Sequence, residues 1–245
     1  VKAGVFTVLK VIVYIFGIDL LAATDASRWL TWVAAFTIVA ASIVALGKDN
    51  LKARLAYSTV SQLSYIVLGG ALATSAGVLG GGMHIAMHAL GKITLFFCAG
   101  AILVGAHKTE ISDMDGLGKK MPFTFGAFFL GSLSVIGLPP MGGSWSKWYL
   151  MLGALEAEQM VMMLVLMASS LLSIGYLMPV VGRGFFRDAP VAGDHGHDLY
   201  DNHEGGIHEA PLLCVLPPVL TGLGCIVAFF YAEEIYLLLS GIVTP

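Results

Sequence analysis

The chain has 245 residues, of which 57% are hydrophobic and only 12% charged, and its formal net charge is −3. Soluble domains contain about 25% charged residues, so this composition excludes an ordinary soluble domain and indicates a helical membrane protein, in which backbone groups must be satisfied internally. No cluster of basic residues suits nucleic acid. The three cysteines lie in apolar stretches without metal-ligand spacing, so we expect neither a metal site nor another cofactor.

Seven apolar segments follow one another along the chain. Because about 20 residues cross a bilayer, we predict an all-α, polytopic transmembrane bundle with about seven crossings. The first residue is a valine and no signal peptide precedes the first segment, which suggests a piece of a longer protein. The segments lie at 1–18, 28–47, 55–74, 78–106, 122–155, 158–183 and 211–240.

The distribution of lysine and arginine among the connections predicts their sidedness. The connections 48–54 and 107–121 each contain three such residues and 183–210 contains two, whereas the connections between them contain at most one. Cytoplasmic loops are enriched in lysine and arginine. We therefore expect these three loops to be cytoplasmic, in a bacterial inner membrane.

The fifth segment is too long for one straight crossing and too short for two. At its centre, prolines remove hydrogen-bond donors and glycines permit a non-helical backbone. We predict one discontinuous helix, 122–137 followed by 144–155, of the kind that lines cavities in membranes; the alternative is a simple proline kink. The residues of this break are Pro139, Pro140, Gly142 and Gly143.

Five basic residues lie inside the apolar segments and have no acidic neighbour there. A charge in hydrocarbon costs about 3 kcal/mol or more, so such residues mark polar pathways. Three of them are spaced i, i+4 and i+8, which places them along one helix face over about 12 Å. Histidine titrates near neutral pH and a desolvated lysine can do so. The predicted proton or ion pathway comprises Lys2, His84, His88, Lys92 and Lys147.

Other interpretations of these residues stay open. The two histidines could bind a metal, but Lys92 is no ligand and the glutamate of zinc proteases is missing. Haem ligation would need a histidine on another span, and none of the other predicted spans contains one. The simplest alternative is a pair of packed histidines beside a snorkelling lysine. Lys10 is either structural or interfacial.

Four signatures occur in order and together resemble a known family, the antiporter-like membrane subunits of respiratory complex I and of Mrp-type multisubunit sodium/proton antiporters. The resemblance extends from residue 1 to about residue 185. The signatures are Val1-Lys2-Ala3-Gly4-Val5-Phe6, the run from Lys52 to Gln62, Met87-His88-Ala89-Leu90-Gly91-Lys92, and Gly137-Leu138-Pro139-Pro140 followed by Trp145-Ser146-Lys147.

The resemblance implies two inverted repeats of five helices, each with a proton channel and a discontinuous helix, of which this chain would contain the second repeat. It implies that Lys2 pairs with a glutamate on an earlier helix, before Val1. Lys92 resembles the family's central lysine, with His84 and His88 as its relay, and Lys147 resembles the terminal residue of the half-channel. The phrase Trp145-Ser146-Lys147-Trp148 is most similar to the Mrp D subunit.

The function predicted from these observations is that of a proton-translocating subunit in a multisubunit monovalent cation/proton antiporter. The alternative is a proton-pumping membrane subunit of a complex I-type NAD(P)H:quinone oxidoreductase or related hydrogenase. The expected partners are other membrane subunits, protons, sodium and the lipid bilayer, and no catalytic chemistry is expected in this chain. We predict a translocating domain at 1–185, a loop rich in histidine and acidic residues at 186–210, and a terminal helix at 211–245.

Single features of the sequence bear on three further classes of protein. A retinal-binding protein is rejected, because the last segment has no lysine and the third has no acidic residue. A stand-alone solute carrier and a non-conducting scaffold stay open. The loop 194–209, with four histidines among acidic residues, is either a metal- or pH-sensing segment or a solvated loop.

Overall fold

The computed structural model describes residues 2–188 and 206–242, and within them it contains helices and no strand, which confirms the all-α class. A π-helical stretch at Val11–Phe16 follows α1, and a 3-10 turn lies at Ile111–Asp113. The α-helices are α1 (Lys2–Lys10), α2 (Ile18–Thr24), α3 (Arg28–Leu46), α4 (Leu51–Ala71), α5 (Ser75–Ala106), α6 (Leu117–Lys120), α7 (Pro122–Ile136), α8 (Gly143–Glu156), α9 (Met160–Phe186), α10 (Leu212–Phe230) and α11 (Ala232–Ser240).

Each predicted segment is helical, but fewer helices than seven are long and apolar enough to cross a membrane on that criterion alone. In the described part of the chain, α3, α5, α9 and α10 meet it. The helical run from Lys2 to Phe16 meets it together with α2, although the two are bent by 78°. The 21 residues of α4 include many polar side chains, and the 15 residues of α7 form a shorter apolar helix.

Among the boundaries that differ from the sequence prediction are those of the third and the last segments. The third segment begins at Leu51 rather than at residue 55, because the Asn50 side chain caps α4 by accepting a hydrogen bond from the Ala53 nitrogen at 3.1 Å. Arg54, predicted in a loop, is therefore helical and buried, and its guanidinium donates to the carbonyl oxygens of Lys48 (2.7 Å) and Tyr176 (3.1 Å). The last segment is two helices with a turn at Tyr231.

Helix α5 lies at the centre of the bundle and packs against α4, α7, α8 and α10. Glycines let α8 approach it closely: a methyl group on Gly80 would lie 2.6 Å from the Leu150 nitrogen, and one on Gly153 would collide with the backbone of Gly77. Small residues at helix contacts are typical of membrane bundles, where packing rather than water exclusion holds helices together. This packing positions the face of α5 that carries the basic residues.

The three connections rich in lysine and arginine meet at one end of the bundle. The Leu51 nitrogen donates to the Thr109 carbonyl oxygen (2.9 Å), and the Gly116 nitrogen donates to the Arg183 carbonyl oxygen (3.0 Å). Asp115 forms ion pairs with Arg183 (3.4 Å) and Arg187 (3.3 Å). The sequence prediction that these connections share one side of the bundle agrees with these contacts.

Candidate functional site

A break in the backbone separates α7 from α8. Helix α7 ends at Ile136, and Gly137 then adopts a left-handed conformation with φ of +89° that favours glycine. The Pro139–Pro140 peptide bond is cis. Helix α8 begins at Gly143, one residue before the predicted start of the second half.

The two halves meet in close contact at Gly143. A methyl group on Gly143 would collide with the carbonyl oxygen of Ser134 in α7, so only glycine fits there. The preceding Gly142 nitrogen donates a hydrogen bond to the Cys225 carbonyl oxygen of α10 at 3.0 Å. The break is therefore held by backbone contacts from two neighbouring helices.

Lys147 closes the open end of α7. Its Nζ donates to the carbonyl oxygen of Ile136 at 2.9 Å and to the Ser170 hydroxyl at 3.0 Å. The last carbonyl groups of a helix lack partners within it, and the negative end of the helix dipole favours a cation. The lysine is buried, with 6% of its surface exposed, and the broken helix supplies the acceptor that it needs.

His84 and His88 lie on one face of α5, buried and stacked with their ring centroids 5.6 Å apart. Nδ1 of His84 forms a hydrogen bond with the Ser146 hydroxyl at 2.9 Å. Within the described residues, His84 Nε2 and both ring nitrogens of His88 are buried without a hydrogen-bond partner. Buried polar atoms normally form hydrogen bonds with protein or with ordered water. We therefore expect water molecules to bind to these nitrogens.

Lys92 lies one turn further along α5 and is also buried. Its Nζ donates to the Ser58 hydroxyl at 2.5 Å and to the Leu55 carbonyl oxygen at 3.2 Å, both on α4. Across the described part of the chain, the ion pairs occur only at loops and helix ends and do not include this lysine. Neutral oxygens rather than a carboxylate therefore surround the ammonium group.

Tyr65 connects the histidines to Lys147. Its ring centroid lies 5.4 Å from that of His84, and the Lys147 Nζ lies 5.1 Å from the Tyr65 ring centre. Contacts therefore run without interruption from His88 through His84 and Tyr65 to Lys147. Sequence reasoning did not identify Tyr65.

Lys2 reaches the same cluster through a cleft of about 460 Å³, whose lining includes Lys2, His88 and Lys92. Every predicted basic residue therefore lies in one connected region. Lys10 does not: it is exposed, and its Nζ lies 5.6 Å from the Phe6 ring centre.

Two polar helix faces were missed by the sequence analysis. On α4 the buried polar residues recur at i, i+3, i+4 and i+7, and on α9 they recur at i, i+4 and i+7, which are helical periods. That recurrence inside apolar segments was the available signal. The residues are Ser58, Ser61, Gln62 and Tyr65 on α4, and Ser169, Ser173 and Tyr176 on α9.

The loop 194–209, for which a metal- or pH-sensing role and a solvated loop were both left open, lies mostly outside the described residues. At its described end, the Glu209 carboxylate accepts hydrogen bonds from the Phe123 nitrogen (2.6 Å) and the Thr124 nitrogen (3.1 Å) and so caps α7. Within residues 2–188 and 206–242, no group of three or more histidine, cysteine or acidic side chains could hold a metal ion.

A broken helix beside buried lysines and histidines defines the class of polytopic membrane proteins that keep ionisable groups inside the bilayer. The chain belongs to the family described as NADH:quinone oxidoreductase/Mrp antiporter, transmembrane region, which matches residues 1–173.

Comparisons with individual proteins agree with this family. The chain is 39% identical to NADH-quinone oxidoreductase subunit N of Desulforudis audaxviator, over 84% of this chain and 41% of that protein. Its fold resembles a subunit of the Mrp complex from Dietzia sp. (TM-score 0.80, 23% identity, 99% of this chain and 50% of that one). It also resembles a chain of respiratory complex I from Thermus thermophilus (TM-score 0.77, 19% identity, 97% and 49%). The chain thus spans half or less of these proteins.

Proposed function

We propose that the chain is part of a proton-translocating subunit of a multisubunit monovalent cation/proton antiporter, in which protons pass between Lys92 and Lys147 through His88 and His84. The observation that carries this proposal is the row of contacts from His88 to Lys147, with Lys92 in the same cleft as His88. Groups that bind and release protons in such a row can hand a proton on through one or two waters.

Contacts of the individual residues support the relay, and the step from Lys92 to His88 rests on the cleft that both residues line. The Lys92 ammonium is held by the Ser58 hydroxyl, and the unpartnered nitrogens of His88 and His84 can accept a proton from water. The Ser146 hydroxyl orients His84, and Lys147 stands at the far end against the open terminus of α7. The buried amide of Gln62, on the same face of α4 and also unpartnered among the described residues, can hold water beside this row.

Electrostatic repulsion gives the relay a direction. Lys2 and Lys92 line one cleft, and like charges that share a site disfavour each other. A positive charge that stays at Lys2 therefore favours moving a proton away from Lys92 toward Lys147. A carboxylate approaching Lys2 from a partner segment would relax this repulsion and reload Lys92.

The wider assignment follows from the same proposal. The loops 48–54, 107–121 and 183–210 would face the cytoplasm of a bacterial inner membrane. The translocating domain would be 1–185, followed by the loop 186–210 and the terminal part 211–245. Sodium, if it is the coupling ion, would bind elsewhere in the assembly, because the described pathway contains no carboxylate.

The test uses membrane vesicles that contain the full-length subunit in its complex. A respiratory donor establishes a pH gradient, sodium is added, and a pH-sensitive dye follows the gradient. We expect sodium to collapse the gradient, and Lys92→Ala to abolish the collapse with the complex still assembled. The matched control is Lys10→Ala, which replaces an exposed lysine outside the cluster and should transport normally. Normal transport by Lys92→Ala would refute the relay.

A second candidate function is a proton-pumping subunit of a complex I-type oxidoreductase. The 39% identity to an NADH-quinone oxidoreductase subunit N supports this second candidate. The sequence from Trp145 to Trp148 supports the antiporter. The same vesicles separate the two candidates. Proton pumping that occurs only while electrons flow through the complex, with no response to sodium, would establish the second.

A further inference from the structure

A second cleft, of about 450 Å³, lies on the side of α8 that faces α10 and α11. Aromatic rings form most of its wall: Tyr149 and Tyr236 are stacked with centroids 5.2 Å apart, and the rings of Trp145 and Phe229 lie 5.8 Å apart. One carboxylate, that of Glu233, lines the same cleft. The relay residues do not line it, so an inference from it does not depend on the proposed function.

The carboxylate in this cleft, that of Glu233, is exposed and makes no ion pair with the described residues. An exposed carboxylate in hydrocarbon is costly, and tryptophan and tyrosine concentrate where a membrane meets water. The rim of the cleft therefore belongs at the level of the lipid headgroups.

We propose that this cleft binds the ammonium group of a zwitterionic phospholipid. Aromatic faces attract cationic ammonium groups, the more strongly when several rings surround the cation, and Glu233 adds an opposite charge. A cleft of about 450 Å³ is far too large for a bare metal ion and has a single carboxylate. Phe230, which lines the cleft and is 72% exposed, offers an apolar surface for the acyl chains. The exposed apolar residues Trp148, Leu237 and Leu238 are close in sequence to lining residues.

The test measures lipid binding to the purified, delipidated complex that contains the full-length subunit. Phosphatidylethanolamine or phosphatidylglycerol is titrated in detergent, and the lipid retained is counted by native mass spectrometry. We expect preferential retention of phosphatidylethanolamine, and a roughly fivefold loss of that preference in Glu233→Gln and in Trp145→Leu, since each removes one favourable contact with the cation. Glu234→Gln is the matched control, because this neighbouring carboxylate does not line the cleft.

Several results would overturn the proposal. Equal retention of the two lipids by the unmodified complex would do so, as would an equal loss in Glu233→Gln and Glu234→Gln. If tetramethylammonium protected Trp145 from fluorescence quenching but no lipid was retained, the site would bind free organic cations instead. A carbodiimide cross-link from Glu233 to a lysine of a neighbouring subunit would assign the cleft to a protein partner. Glu233→Asp keeps the charge and should restore binding if the variants are correctly folded.

Discussion

The buried lysines Lys92 and Lys147 are stabilised by neutral oxygens. Lys147 donates to the Ile136 carbonyl and the Ser170 hydroxyl, and Lys92 donates to the Ser58 hydroxyl and the Leu55 carbonyl. Breaking a buried ion pair costs about 3–5 kcal/mol, so a lysine locked to a carboxylate would give up its proton reluctantly. Partners without charge allow both protonation states, which a relay requires.

Removing the Ser58 hydroxyl tests the environment of Lys92 without removing the lysine. A hydrogen bond to a charged group contributes about 1.5–3 kcal/mol, so Ser58→Ala should slow transport about tenfold or more in the vesicle assay, with assembly unchanged. Ser64→Ala is the matched control on the same helix, since Ser64 donates only to its own helix at Val60. Equal rates for the two variants would contradict the role of Ser58.

At the scale of the helix, the close contact between the two halves of the broken helix requires that Gly143 carry no side chain. A methyl group at Gly143 would collide with the Ser134 carbonyl oxygen, whereas a methyl group at Gly126, inside α7, would meet open space. The same substitution at these two positions should therefore have opposite effects on stability.

We expect Gly143→Ala to lower the free energy of unfolding by about 1–3 kcal/mol through overpacking. Gly126→Ala should leave stability unchanged or raise it by up to about 1 kcal/mol, because alanine favours helix over glycine. Thermal unfolding of the detergent-solubilised full-length subunit measures both. A Gly143→Ala variant as stable as the unmodified protein would show that the halves of the helix can separate at no cost.

The start of α7 provides a second prediction at this scale. Glu209 caps that helix from a distant part of the chain, and loss of a cap costs about 1 kcal/mol. Glu209→Ala should lower the free energy of unfolding by about 1 kcal/mol, which lowers the midpoint of thermal unfolding by a few degrees. Glu234→Ala, which removes an exposed carboxylate from α11, should not. Identical midpoints for the two variants would mean that the cap is not formed in the membrane.

Sequence patterns anticipated elements better than their ends. Hydropathy and the Pro–Gly run predicted the helices and the break, because both depend on local chemistry. The burial of Arg54 could not be predicted, since its acceptors include the Tyr176 carbonyl, far along the chain. The contacts of Ser58 and Tyr65 with the buried basic residues were missed for a similar reason, because the neighbours of a polar residue in a helix are known only when the partner helix is known.

At the scale of the whole molecule, the prediction of sidedness can be tested directly. The residues Asp113 and Ser75 are exposed near opposite ends of α5, and the loop containing Asp113 lies at the end where the lysine- and arginine-rich connections meet. In a background without the native cysteines, Asp113→Cys and Ser75→Cys should react with a membrane-impermeant maleimide from opposite sides of sealed vesicles. Asp113→Cys should react from the cytoplasmic side. Its labelling from the outer side, or labelling of both positions from one side, would contradict the predicted orientation.

The hydrogen bond from the Gly142 nitrogen to the Cys225 carbonyl oxygen joins the part of the chain that matches the family to a part that lies beyond the match. Gly142 lies inside the region 1–173 that matches the family, whereas Cys225 lies beyond it. A chimaera that took its membrane core from one family member and its final helices from another would leave this amide without its acceptor unless the replacement offered a carbonyl at the same height. The final helices should therefore be exchangeable between family members only where α10 keeps its register beside Gly142.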